Sequence, residues 1–213
     1  MVNSTDSIGV YKQIFNALVS PNLWLPYFQC RGTLKDAIKG LVFYIVLMLL
    51  VITFGSISVN LLKPTSSITL LELLFNPALA VNIIGVFVTF IVMSVVFVPS
   101  FLLIARGADA TLTVKRVFMV YFYAYAEIFL VKCIEMFILS FMSILVLTNI
   151  VNMVLAGAVI LGVTLTCRLL QILLFLKTFK VVLDIPYLTI VVAGGIGGGI
   201  SMFILSFLEK IGI

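Results

Sequence analysis

The sequence is dominated by long apolar runs that carry few charges. The longest runs exceed about 20 residues, which as a helix suffices to cross a hydrocarbon core of about 30 Å. A backbone inside a bilayer has to pair its polar groups internally, and only helices and closed barrels do so. Because the runs are continuous rather than alternating, we predict an all-α, polytopic membrane helix bundle.

The composition supports this class and excludes several kinds of site. Of 213 residues, 63% are hydrophobic and 10% are charged, whereas soluble domains carry about 25% charged residues. The three cysteines fit neither a disulfide framework nor a zinc cluster, and the absence of histidine excludes histidine-dependent triads and histidine-ligated metals. No polar block is suited to nucleic acid. We therefore predict no enzymatic activity, no metal and no cofactor.

The apolar runs and the basic residues together predict the topology. We expect a cytoplasmic and interfacial segment, 1–40, followed by a transmembrane domain, 41–213. The five predicted spans are 41–62, 77–104, 117–139, 151–176 and 187–208. With the N-terminus inside, the inner segments hold Lys12, Arg31, Lys35, Lys39, Arg106, Lys115, Arg116, Lys177 and Lys180, and the outer segments hold Lys63 and Lys210. The positive-inside rule therefore predicts a cytoplasmic N-terminus and an outer C-terminus. Segment 140–148 either extends the third span or lies in the interface.

The N-terminal segment has its own pattern. Apolar residues recur at helical spacing over 8–19, which predicts an amphipathic helix on the membrane surface. Trp24, Tyr27 and Phe28 then form an aromatic cluster suited to the headgroup region, although a loop packed on the bundle fits equally well. Thr33 is a candidate N-cap for the next helix, with Asp36 in its first turn.

The third span carries the charges that matter most. Depths counted from the inner ends place Glu127 roughly 16 Å and Arg168 roughly 13 Å into the membrane. Since the third and fourth spans are antiparallel neighbours, we predict that these two side chains pair, with Tyr121 and Tyr125 as polar neighbours. The pair is either a proton- or ion-coupling site or a static contact that fixes helix register. Nearer the outer surface, Lys132 and Glu135 share a helix face. Either the lysine reaches the headgroups with its carboxylate alongside, or the pair forms an outward-facing site.

The fifth span contains a glycine cluster within 193–199. Gly194 and Gly198, and likewise Gly195 and Gly199, have the small-xxx-small spacing that permits close helix–helix approach. We predict packing within the chain or between copies, with a glycine hinge or an unwound binding segment as the alternative. Ala158 and Gly162 give a weaker version of the signal.

Several segments together resemble the Yip (Ypt-interacting protein) family of five-span membrane proteins. The segment SPNLWLPYF (20–28) resembles the proline-aromatic segment before that family's first span. RGADATLTVKR followed by VFMVYFYAYAEIFLV resembles its third-span region. The Asp-Leu-Tyr-Gly-Pro motif of eukaryotic members is absent, so no small-GTPase-binding residue carries over, and the resemblance implies a short, prokaryotic-type member in the cell membrane.

This resemblance implies a non-enzymatic integral membrane protein, a scaffold or organiser in membrane dynamics, trafficking or membrane-protein assembly. Its expected partners are the lipid bilayer and other membrane proteins or further copies of the chain. The alternative function is a small ion- or proton-coupled transporter or channel subunit that uses Glu127.

Overall fold

The structure, a computed structural model, describes residues 10–61 and 77–211 of the chain. These residues form helices and turns without a strand, which confirms the predicted all-α class. The helices are α1 (Val10–Val19), α2 (Pro21–Arg31), α3 (Leu34–Leu61), α4 (Pro77–Ala105), α5 (Val114–Leu147), α6 (Met153–Leu183) and α7 (Tyr187–Ile211).

Four of these helices, α3, α5, α6 and α7, are long and apolar enough to cross a membrane, within the residues that the structure describes. A shorter apolar segment, Phe90–Ala105, lies in α4. The chain is therefore a multi-pass membrane helix bundle. That α4 makes a fifth crossing stays a prediction.

The N-terminal segment folds as two short helices that pack on the bundle. Pro21 is the first residue of α2, a position where its missing N–H costs nothing. Ile14 of α1 and Leu25 of α2 are fully buried in the core, and Trp24 is half-buried against it. The interfacial position of α1 stays a prediction, and the side chains of Tyr27 and Phe28, like residues 8 and 9, lie outside the described part.

Local sequence determines where the helices begin and end. The Thr33 hydroxyl accepts a hydrogen bond from the Asp36 N–H at 3.1 Å and donates to the Asp36 carboxylate, which confirms the predicted N-cap of α3. Asn152 caps α6 by accepting from the Val154 N–H. Asn149 takes the left-handed conformation, φ 56°, that ends α5, because asparagine tolerates it better than most residues.

The helix α5 is longer than the predicted span 117–139. It has 34 residues, about 51 Å at 1.5 Å per residue, and segment 140–148 continues it as helix as far as Leu147. Of the two possibilities for that segment, the structure therefore shows the extension. In α4 the helix likewise continues past Pro99 to Ala105.

The helices pack as α3 against α5, α5 against α6, and α4 against α7. An aromatic cluster joins the α4–α7 pair to α5 and α6. The rings of Phe101 and Phe179 lie 4.9 Å apart, those of Phe175 and Phe179 lie 4.3 Å apart, and those of Phe97 and Tyr121 lie 5.2 Å apart. Aromatic pairs at such separations are favourable beyond their buried area, so this cluster helps to hold α4, α5 and α6 together.

Candidate functional site

Glu127 lies in the interface between α5 and α6. Its side chain is 1% exposed, and the Thr178 hydroxyl, also fully buried, donates to its Oε2 at 2.6 Å. A buried carboxyl group is tolerated where donors satisfy it, and here the donor is a neutral hydroxyl from the neighbouring helix. Lys177, next to Thr178 in the chain, is a nearby cation that forms no ion pair with Glu127.

Glu127 and Arg168 are not brought together. Arg168 is exposed, and it lies ten residues before Thr178 on α6, about 15 Å along the helix axis. The prediction assumed that Arg116 and Lys177 mark one level on the two helices. In the structure the Arg116 guanidinium donates instead to the Val182 carbonyl at 3.1 Å, so α6 is shifted along α5 by more than a turn relative to that assumption.

The two predicted tyrosines contact each other on the same helix as Glu127. The rings of Tyr121 and Tyr125 have centroids 4.4 Å apart, and Phe90 of α4 contacts the Tyr125 ring at 5.3 Å. Tyr121 is fully buried, with Ser94 and Tyr125 as the polar neighbours of its hydroxyl. The tyrosines therefore pack α5 against α4. Thr178 is the residue whose hydroxyl donates to Glu127.

Arg168 lines a groove of about 500 Å³ on the face of α5 and α6, together with Tyr125, Gln171 and Phe175. Gln171 is 8% exposed, and its Nε2 has no hydrogen-bond partner among the described residues. Arg168 and Tyr125 thus line the same groove as the Gln171 amide, which was not predicted from the sequence.

Lys132 and Glu135 form an ion pair at 2.8 Å, as their spacing on α5 predicts. Glu135 is 2% exposed, whereas Lys132 is partly exposed. Cys167 of α6 lies within the field of both charges. The carboxylate is therefore buried, and its lysine partner remains partly exposed.

The glycines of α7 divide into two groups. A Cβ on Gly197 would lie 3.3 Å from the Phe97 ring and the Phe97 carbonyl, so this glycine permits the close contact between α7 and α4. A Cβ on Gly195, Gly198 or Gly199 would meet no described atom within 4 Å, and one on Gly194 meets only the Phe175 ring at 3.7 Å. The contact within the chain therefore uses Gly197, which the spacing analysis did not single out.

Thr178, Lys177, Gln171 and Gly197 are the residues of these sites that sequence reasoning missed. A threonine that pairs with a residue 51 positions away leaves no local pattern. No group of three or more metal-ligating side chains occurs among the described residues. The arrangement around Glu127 can hold or exchange one proton, and the groove beside it can accept polar groups.

Comparisons with protein-family models, with curated proteins and with solved structures find no match.

Proposed function

We propose that the chain is a non-enzymatic, multi-pass membrane protein that organises other membrane proteins, or copies of itself, through helix–helix contacts in the bilayer. The supporting observation is that two of the three small-xxx-small pairs lie on exposed helix faces, whereas Gly194 and Gly198 are half-buried. Gly195 and Gly199 on α7 are exposed, as are Ala158 and Gly162 on α6. Small residues on a lipid-facing helix surface let the backbone of a second helix approach closely. Within the chain, α7 contacts α4 through Gly197, so Gly195 and Gly199 are not used in that contact.

The experiment that tests this function is cross-linking in the native membrane. Wild-type protein is expected to give a specific adduct, with itself or with another membrane protein. Gly195→Ile combined with Gly199→Ile should abolish the adduct and leave the fold intact, since a Cβ at either position meets no described atom.

The control is Gly157→Ile on α6, an equally bulky change at an exposed glycine with no described atom within 4 Å of its Cβ position. This variant should keep the adduct. Adducts that survive the double substitution on α7 contradict the proposal.

The Yip-type assignment belongs to the same proposal. The segments 20–28 and 106–131 support it, together with the predicted cytoplasmic N-terminus and outer C-terminus in a prokaryotic cell membrane. No small-GTPase partner is proposed, because the motif that eukaryotic members carry is absent.

The second candidate function is a small ion- or proton-coupled transporter, and the burial of Glu127 against Thr178 favours it. A carboxyl group inside a membrane protein is a common element of proton relays. Glu127→Gln keeps the shape and the hydrogen-bonding capacity of the side chain but cannot exchange a proton. In proteoliposomes this variant should abolish a pH-dependent flux that the wild-type protein shows, and a wild-type protein that moves no solute or ion contradicts this function.

A further inference from the structure

A basic groove of about 850 Å³ opens where α3 and α5 begin. Four cationic side chains line it: Lys35, Lys39, Lys115 and Arg116. None of the three lysines forms an ion pair or a side-chain hydrogen bond within the described part of the chain. The nearby carboxylate of Asp36 is occupied by the Thr33 hydroxyl at 2.6 Å. Among the described residues, these four cations outnumber the nearby carboxylates of Asp36 and Asp109, so the groove keeps a net positive charge.

Phosphate is the chemical group that fits this arrangement. Lysine binds phosphate as a compact charge, and arginine adds directed donors. One Arg116 nitrogen donates to the Val182 carbonyl, which fixes the guanidinium at the edge of the groove and leaves its other N–H groups available.

An apolar track leads away from the basic groove along α3. Ile38 lines the groove, and Val42 and Val46 follow it at four-residue intervals on the same helix face. All three are exposed, by 42%, 49% and 48%. A free phosphate ion would make no favourable contact with these apolar side chains, whereas the acyl chain of a phospholipid would pack against them.

We propose that the basic groove binds the phosphate headgroup of an anionic glycerophospholipid, and that an acyl chain of this lipid lies along Ile38, Val42 and Val46. The site adds a ligand to the organising function proposed above and does not depend on that function.

The test is native mass spectrometry of the full chain in detergent, titrated with phosphatidylglycerol and with phosphatidylcholine of the same acyl chains. The wild-type protein should retain phosphatidylglycerol in preference to phosphatidylcholine. Lys35→Gln combined with Lys39→Gln should weaken retention by about fivefold for each lysine removed. Both lysines are exposed, so the melting temperature should not change. If it does, the single variant Lys39→Gln replaces the double one, with an expected loss of about fivefold.

The control is Lys12→Gln combined with Lys180→Gln, which removes two cations from the same predicted membrane side, one of them ion-paired with Asp184, without touching the groove. This variant should retain phosphatidylglycerol as the wild type does. Equal losses in the two double variants, or equal retention of the two lipids, overturn the proposal. Displacement of phosphatidylglycerol by inorganic phosphate at equal concentration overturns the acyl-chain contact and makes the groove a site for free phosphate.

Discussion

The Thr178 hydroxyl stabilises the buried carboxyl group of Glu127. The hydroxyl is the hydrogen-bond donor that the described residues supply to the buried carboxyl group. Without it, the carboxyl group would lose a partner in a place where water does not replace it. Leaving a buried polar group unsatisfied costs about 1–3 kcal/mol.

We therefore expect Thr178→Val, which keeps the shape and removes the hydroxyl, to lower the free energy of unfolding by about 1–3 kcal/mol. Thr166→Val is the control, since the exposed Thr166 hydroxyl donates only to the Gly162 carbonyl of its own helix. Unfolding in detergent micelles, followed by circular dichroism, measures both. Equal effects of the two substitutions would show that the contact with Glu127 contributes nothing to stability.

Asp109 gives the loop between α4 and α5 a pH dependence. The Thr111 hydroxyl donates to the Asp109 carboxylate at 2.7 Å, and this bond, followed by the Thr111 N–H and the charge of Arg116, lowers the pKa of Asp109 below its ordinary 3.8. A lowered folded-state pKa means that the contribution is fully present above the ordinary value and is lost as the pH falls through the lowered one.

Thr111→Val should accordingly raise the pKa of Asp109 toward 3.8, because the first of these causes is removed. An NMR titration of the Asp109 carboxyl carbon measures it. An unchanged pKa in the variant would mean that the backbone N–H and Arg116 hold the value by themselves.

At the scale of the helix, two buried glycines determine how closely neighbours approach. Gly197 lies against Phe97, and Gly55 of α3 lies against Ser140 of α5 so closely that a Cβ on Gly55 would overlap the serine side chain. Both contacts are possible because glycine has no side chain at the point where the helices meet. The exposed glycines of α7 have no such neighbour within the described residues.

We expect Gly55→Ala to destabilise the α3–α5 contact by about 1–3 kcal/mol, since the added methyl group forces the helices apart. Adding Ser140→Gly should restore most of that loss, because the atoms that would overlap are then gone. Gly198→Ala is the control and should stabilise the chain by up to about 1 kcal/mol through helix propensity. Thermal unfolding of the wild type, Gly55→Ala, Ser140→Gly and the double variant gives the coupling energy. Independent effects of the two substitutions would contradict the close contact.

These helices also show what sequence could and could not predict. The cap at Thr33 follows from a few neighbouring residues, and it was predicted from the sequence. The alignment of α5 with α6 depends on side chains far apart in the chain, so charges counted from the helix ends placed Arg168 opposite Glu127 incorrectly. For the same reason the roles of Thr178, Gly55 and Gly197 became visible only with the helices packed.

For the whole molecule, the predicted topology has a native reporter. Cys30 on α2 is exposed, whereas Cys133 and Cys167 are buried. The positive-inside rule predicts that α2 lies on the cytoplasmic side, together with Lys35 and Lys39.

A membrane-impermeant maleimide should therefore label Cys30 in inverted vesicles and leave it unlabelled in right-side-out vesicles. Cys30→Ser should remove the labelling, since the two buried thiols do not react before unfolding. Labelling of Cys30 from the outer side would reverse the topology and exclude the proposed family assignment.

The length of α5 has a further consequence for the surrounding lipid. The 34-residue α5 and the 31-residue α6 are each longer than the hydrocarbon thickness of about 30 Å. Either these two helices tilt, or the bilayer beside them thickens locally to match their length. We therefore expect the protein to concentrate in bilayers with longer acyl chains, and its distribution between thin and thick lipid phases measures the mismatch.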